Sequence, residues 1–328
     1  MEPDALLQRL TTAVQRRFGA AAAVADLKAL SGGASAETCS FDVIVGAQSR
    51  PLIMQRMAGA QQFEASLDRA LQAAVQKTAY DSKVPVAEVA FVLDDTDGLG
   101  NGYAMQRIEG ETLGPRILKG AEFATARSVM TQQCGKILAC IHNVDMATLP
   151  PLPRRTGADS LKAMESIYRK CGVDLPVFEL ALQWLSDHVP TLPVETLVHG
   201  DFRLGNLIVG PEGIRAVLDW EMAHIGDPME DFGWLSVPSW RYGQLANDVG
   251  GFGRMVDAFA AYKIANGKAI NTDSLKFWQI LGTLKWGLVC LFFAFQHING
   301  DVRSVERASI GRRTSETELD LLVLMREA

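Results

Sequence analysis

The chain has 328 residues, of which 48% are hydrophobic and 21% charged, and its net charge is −6. At ~150 residues per domain this is about two domains with enough apolar material for a real core, and a composition near the globular average excludes fibres, coiled coils and disorder. The mildly acidic balance contains no basic block, so no nucleic-acid partner is expected, because phosphate neutralisation needs clustered Lys and Arg.

Residues 4–18 carry Leu6, Leu7, Leu10, Val14 and Phe18 at helical spacing. Extended runs follow at 24–30, 38–45 and 52–56, the first two joined by the small-residue loop 31–35 and the last two by a short turn with Gly46 and Pro51. The spacing of Phe63, Leu67, Ala70, Leu71, Ala74 and Val75 predicts a helix over 61–78. Two more strands, 89–93 and 103–108, flank the turn-rich 94–98, so five strands and a helix occupy the first 108 residues. Beyond them the pattern is mainly helical, with helices expected at 123–141, 160–170, 176–188, 250–266 and 274–298 and a strand–loop–strand region only at 197–219. A β-rich lobe over 1–108 joined to a helical lobe over 109–328 is the expected organisation, with a cleft between them as the natural small-molecule site.

The run from Leu275 to Ile298 is interrupted by Lys276, Gln279, Lys285 and Gln296, which predicts a buried helix rather than a membrane span. Five cysteines (Cys39, Cys134, Cys140, Cys171, Cys290), odd in number and without a CxxC pair, read as reduced thiols, not a zinc site or a disulfide framework. No apolar signal core follows the N-terminus, so a cytoplasmic location is expected. Nothing in the sequence sets an oligomeric state.

The chemistry concentrates in residues 199–231. Asp201 and Asn206 lie five apart on a loop before a short apolar strand, and Asp219 follows thirteen residues beyond Asn206 at the end of another. These three groups have the chemistry that phosphoryl transfer requires. Asp201 can accept the proton of an attacking hydroxyl, while Asn206 and Asp219 offer hard oxygen ligands for Mg²⁺. Arg203 can hold charge on the moving phosphoryl. Glu221 is close enough in sequence to reach the metal or a cationic substrate; Asp227 and Asp231 are expected to brace the loop, and His142 to pack or cap.

The block His199-Gly200-Asp201 with Asn206, the run Asp219-Trp220-Glu221, the Gly226-Asp227-Pro228-x-x-Asp231 run, Leu30 to Ser35 and Tyr103 to Gly110 together resemble the aminoglycoside phosphotransferase-like kinases. Within that family the sequence is most similar to the branch that includes the kinase-like domains found beside acyl-CoA dehydrogenases, in which Arg follows the catalytic Asp as Arg203 does here. The resemblance implies an α+β, protein-kinase-like two-lobe fold, with a small antiparallel sheet above a mainly helical lobe. It implies ATP or GTP as donor with Mg²⁺, and a small-molecule hydroxyl as acceptor. Ser31, Gly32, Gly33 and Ser35 would cover the phosphates, and backbone groups along Met105, Gln106 and Ile108 would meet the adenine. The family carries a Lys on the third strand paired with a Glu of the next helix. Here that strand reads Leu52-Ile53-Met54-Gln55-Arg56, so the cation is Arg56 if it faces the cleft, paired with Glu64 or Asp68, and is missing if Gln55 faces it. Two alternatives therefore stand beside an active kinase: a nucleotide-binding pseudokinase, and an AMP transferase on the same fold.

Overall fold

A computed structural model describes residues 2–30, 36–57, 66–191, 194–267 and 271–328. The run Ser31, Gly32, Gly33 and Ser35, expected to cover the phosphates, and Glu64 lie outside the described residues.

Helix α1 (Pro3–Phe18) starts on a proline and buries the stripe Leu10, Ala13 and Val14. Strands β1 (Ala23–Leu30), β2 (Ala36–Val45) and β3 (Gln48–Met57) form an antiparallel meander, followed by α2 (Arg69–Asp81), β4 (Val89–Val92) and β5 (Gly102–Gln106). The sheet order is β1-β2-β3-β5-β4. Period-two alternation splits the sheet into two faces. Leu52 and Met54 of β3 join Phe41, Leu10 and Val14 in the core under α1, whereas Ile53 joins Tyr103, Met105 and Ala73 under α2. Arg16 and Arg17 of α1 bind the buried carboxylate of Asp97, Arg17 at 2.7 Å, clamping the helix to the β4–β5 turn. Burial alone would raise the Asp97 pKa, but the two guanidiniums and the Asp94 amide hold it at about 2. Of the helix expected over 61–78, residues 61–65 lie outside the described residues; α2 begins at Arg69, where the Asp68 carboxylate caps it by accepting the Leu71 N–H at 2.9 Å.

The chain then runs through α3 (Gly114–Lys119), α4 (Ala124–His142), α5 (Gly157–Cys171), α6 (Pro176–Asp187), β6 (Thr196–Val198), β7 (Leu207–Gly210), β8 (Gly213–Val217), β9 (His224–Gly226), α7 (Met229–Leu235), α8 (Met255–Asn266), α9 (Leu275–Ile298), α10 (Val305–Gly311) and α11 (Thr314–Arg326). Strands β6 and β9 pair antiparallel, as do β7 and β8. Three of the elements absent from the sequence reading (α3, α7 and β9) are too short to show a period; β9 exists because it pairs with β6. Helix α8 starts later than 250 because Val249 to Gly253 closes on itself, Val249 N–H and carbonyl both bonding Gly253 or Phe252. Helix α9 is apolar and long enough to cross a membrane by length and composition, and 56% of its most apolar window is buried inside the fold, where Ile280, Leu284 and Leu288 meet the main core. All five cysteines are free.

The two lobes are stitched by backbone. Val217 N–H donates to the Pro85 carbonyl at 2.8 Å and Leu67 N–H donates to the Glu221 carbonyl at 2.8 Å, and Glu111, just past the boundary, exchanges both of its hydrogen bonds with Val209 at 2.9 Å. Helix α2 itself belongs to both lobes: Ala73 packs on the sheet while Val75 and Ala79 enter the large core.

Helices α4 and α8 approach so closely at Gly135 that an added Cβ would sit 2.2 Å from the Ala258 carbonyl oxygen, a backbone atom that cannot rotate away. Gly135→Ala is expected to lower stability to chemical denaturation by about 1–3 kcal/mol despite the better helix propensity of alanine. Gly282→Ala, where the nearest atom is a flexible Val237 methyl at 3.2 Å, is expected to cost less. Equal effects would show that the helix contact is looser than the geometry demands.

Candidate active site

The loop between β6 and β7 is shaped from below by one buried carboxylate. Asp231, in the first turn of α7, accepts the backbone N–H of His199 at 3.0 Å and of Gly200 at 2.9 Å, and its Oδ2 lies 3.1 Å from His142 Nε2. His142 Nδ1 in turn meets the Tyr262 hydroxyl at 3.0 Å. Burial opposes ionisation of Asp231, yet His142 and the donated N–H groups outweigh it and hold the carboxyl below its usual range. His199 is fully buried; its Nδ1 accepts the Asp201 N–H at 3.2 Å and its Nε2 faces the Leu218 carbonyl at 3.0 Å. That pairing requires the neutral ring with its proton on Nε2, and burial lowers its pKa accordingly. Gly200 has φ +79°, and a Cβ there would meet the Met222 carbonyl at 2.5 Å, so the loop can pass beneath residues 219–222 only with glycine at this position.

Above this base, Asp201 is held by three donors. Its Oδ1 accepts Arg203 Nε at 3.1 Å and Trp234 Nε1 at 2.5 Å, and its Oδ2 accepts Asn206 Nδ2 at 2.6 Å. Asn206 Nδ2 also donates to the Asp201 carbonyl at 2.9 Å, which turns the amide oxygen of Asn206 the other way, as a cation ligand must point. Asp219 follows β8 in the left-handed region, φ 66° and ψ 71°, a strained backbone of the kind that persists at functional sites. Its carboxyl is pushed up to about 7, by burial first and then by the neighbouring charges of Glu221 and Asp201, with Arg203 and Arg69 opposing. Three carboxylates crowd one place, and a divalent ion is the kind of charge that would relieve them. Among the described residues no group of three or more His, Cys, Asp or Glu side chains is placed to hold an ion alone. Two protein ligands completed by phosphate oxygens and water is the arrangement Mg²⁺ commonly takes, and Asn206 and Asp219 fit it.

One wall beside Asp201 is aromatic and cationic. The Arg203 guanidinium lies 5.0 Å over the Trp240 ring and Lys285 Nζ lies 5.1 Å over Trp234. Trp234, Trp240 and Trp286 stack edge to face in sequence, with centroids 5.2 and 4.6 Å apart. Arg203 remains fully charged, its pKa raised because Asp201 and Asp219 outweigh its burial.

On the nucleotide side one expectation is corrected. Arg56 shares the face of Met54, not of Ile53; it contacts Glu37 directly across the β2–β3 ladder and donates to the Leu99 carbonyl at 3.3 Å, on the α1 side. The register therefore turns Gln55 toward α2, and Asp68 serves as a helix cap rather than a partner for Arg56. Met105 is buried in the α2-side cluster with Ile108 packed against it, and Gln106 is exposed, its N–H donating to the Glu88 carbonyl at 2.9 Å. Two participants were not legible from spacing. Trp234 reaches Asp201 across 33 residues of chain. Arg69, 3% exposed, brings Nη2 to 3.9 Å from Glu221.

The two acids near the loop respond oppositely to pH. Asp231, with its depressed carboxyl, contributes stability above the ordinary carboxylate range and loses it as pH falls through the folded value. Asp219 keeps a proton that the unfolded chain releases from about pH 4, so metal-free protein loses stability as pH rises from there to about 7. Asp219→Asn is thus expected to raise the melting temperature of metal-free protein, and by more at pH 8 than at pH 5. A shift independent of pH would contradict the raised carboxyl.

Residues 26–265 match the model of the phosphotransferase enzyme family, APH. Acyl-CoA dehydrogenase family member 10 of Mus musculus is 32% identical over 171 residues, covering 48% of this chain and 15% of that protein. Family member 11 of Pongo abelii is 26% identical over 267 residues, covering 75% of this chain and 34% of that protein, so the chain spans a third or less of either relative. Among solved structures, one from Ralstonia eutropha JMP134 assigned as an aminoglycoside phosphotransferase superposes with a TM-score of 0.77 at 21% identity, covering 98% of both chains. A ternary complex of a thermostable mutant of the aminoglycoside phosphotransferase APH(4)-Ia with AMP-PNP and hygromycin B gives 0.62 at 16% identity, covering 97% of both. With the five-stranded sheet over a helical lobe, these likenesses establish a two-lobe, kinase-like α+β fold. The chain belongs to the APH phosphotransferase enzyme family.

Proposed function

We propose that this phosphotransferase carries the γ-phosphoryl of ATP or GTP to a hydroxyl of a small molecule, with Asp201 as the base. The observation that carries the reading is the Asp201 carboxylate, oriented by Arg203, Trp234 and Asn206 beside Asp219. Asp201 accepts the hydroxyl proton as the acceptor oxygen attacks, and its three donors keep it in one rotamer while it waits. Arg203, charged and braced on Trp240, faces the transferring group and offsets its charge. Asn206 and Asp219 would hold Mg²⁺, which supplies neutralisation of the phosphate oxygens when bound. The Gln106 carbonyl and Ile108 N–H, at the end of β5, are the backbone groups for the adenine edge, and the run Ser31, Gly32, Gly33 and Ser35 is assigned to the phosphates.

The acceptor wall of Arg203, Lys285 and three indoles favours an acceptor with an apolar or acidic body. An ATP-consumption screen across aminoglycosides, choline-like amines, hydroxyacyl-CoA compounds and macrolides is expected to find turnover outside the aminoglycosides. Turnover confined to aminoglycosides would overturn this acceptor class.

Gln55 on the cleft-facing side of β3 favours a second reading, a nucleotide-binding pseudokinase. Asp201→Asn separates the two. For an active kinase it is expected to lower turnover by ~10²–10⁴ while MgATP affinity stays within threefold. Nucleotide-dependent thermal stabilisation with no phosphorylated product from the wild-type chain would favour the pseudokinase, and an α-phosphate label on product would mark an AMP transferase.

A further inference from the structure

The third strand leaves a charge unaccounted for. Arg56 is committed to Glu37 and Leu99 on the far face of the sheet, and Gln55 stands on the near one. On α2, Gln72 is 1% exposed and equally uncharged. A triphosphate bound against this surface would meet the carboxylates of Asp219 and Glu221 with no strand cation to balance them.

We propose that Arg69, in the first turn of α2, supplies the positive charge that holds the nucleotide phosphates in place of a lysine on β3. The inference rests on the nucleotide-binding reading above and deepens it. Arg69 is anchored from behind: Nη1 donates to Gln72 Oε1 at 2.7 Å, Gln72 Nε2 donates to the Leu67 carbonyl at 2.6 Å, and Leu67 N–H donates to the Glu221 carbonyl at 2.8 Å. This short circuit ties the guanidinium to the loop that carries Asp219. Its Nη2 points to Glu221 at 3.9 Å, an ion-pair distance outside hydrogen-bond range. The charges acting on Asp219 are Glu221 and Asp201 on one side and Arg203 and Arg69 on the other. Arg203 is bound to Asp201 and braced on Trp240 at the acceptor wall, whereas Arg69 acts on Asp219 from the α2 side, beside Glu221. Arg69 acts as a positioning residue: held below the cleft, it works through the Asp219–Glu221 loop and through its field on the phosphates, which a low-dielectric setting strengthens.

The experiment compares the affinities of adenosine and of MgATP for the full chain by calorimetry. The wild-type chain is expected to prefer MgATP. Arg69→Gln is expected to lose about tenfold or more of that preference, with adenosine affinity within twofold, as removal of one charge-assisted contact would do. Arg69→Lys, which keeps the charge and gives up the planar fork, is expected to stay within threefold of wild type. Adding Gln55→Lys to Arg69→Gln is expected to restore part of the preference, because it returns a cation to the strand face. An undiminished MgATP preference in Arg69→Gln, or a loss in Arg69→Lys as large as in Arg69→Gln, would overturn the proposal; where Arg69→Gln does not fold, a loss of about tenfold or more in Arg69→Lys would overturn it. A wild-type chain that binds neither probe would instead overturn the nucleotide reading itself.

Discussion

The site depends on a single buried carboxylate. Asp231 receives two consecutive backbone N–H groups, those of His199 and Gly200, and stands against His142 from a second helix and, through it, Tyr262 from a third. A buried charge is tolerated only when its lone pairs are filled, and here the groups that fill them are the backbone of the loop that presents Asp201. That loop therefore cannot relax without leaving a charge unpaired in the core of the helical lobe. His199 extends the same logic upward: with one ring nitrogen on the Asp201 N–H and the other on the Leu218 carbonyl, it joins the loop of Asp201 to the segment after β8 that carries Asp219.

The opposite condition holds on the upper side of the loop. Asp201, Asp219 and Glu221 gather more negative charge than Arg203 and Arg69 comfortably offset, and the raised Asp219 carboxyl is the sign of it. Lower and upper halves thus differ in kind. The lower half is satisfied and rigid; the upper half stays electrostatically unfinished, in the sense that a cation and an anionic ligand arriving together would complete it. Strain at Asp219 follows the same division, since its left-handed backbone aims the carboxylate into the crowded side.

Helix α2 links these halves to the sheet. One side of it packs against Tyr103 and Met105, the other enters the core of the helical lobe, and its leading turn is bonded to the metal loop through Leu67 and Glu221. Sharing this helix ties the sheet to the loop that carries Asp219 and Glu221.

The sequence alone determined the order and kind of the long elements up to Ile298, though not α11 beyond it, together with the two-part organisation and the nearness in sequence of Asp201, Asn206 and Asp219. Each of these is written in local terms: a hydrophobic period of 3.6 or 2, a turn residue, or carboxylates spaced along one loop. What it left open was contact between residues distant in the chain. Whether Arg56 or Gln55 faces the cleft is a matter of strand register, in which a shift of one residue exchanges the faces, and only the packing of Leu52 and Met54 under α1 settled it against Arg56. Trp234 on Asp201, Asp231 beneath His199 and Arg69 beside Glu221 bridge long stretches of chain, and no local pattern encodes such pairs. Short pieces such as β9 and α7 belong with them, because they take their form from the partner they pack against and not from a period of their own.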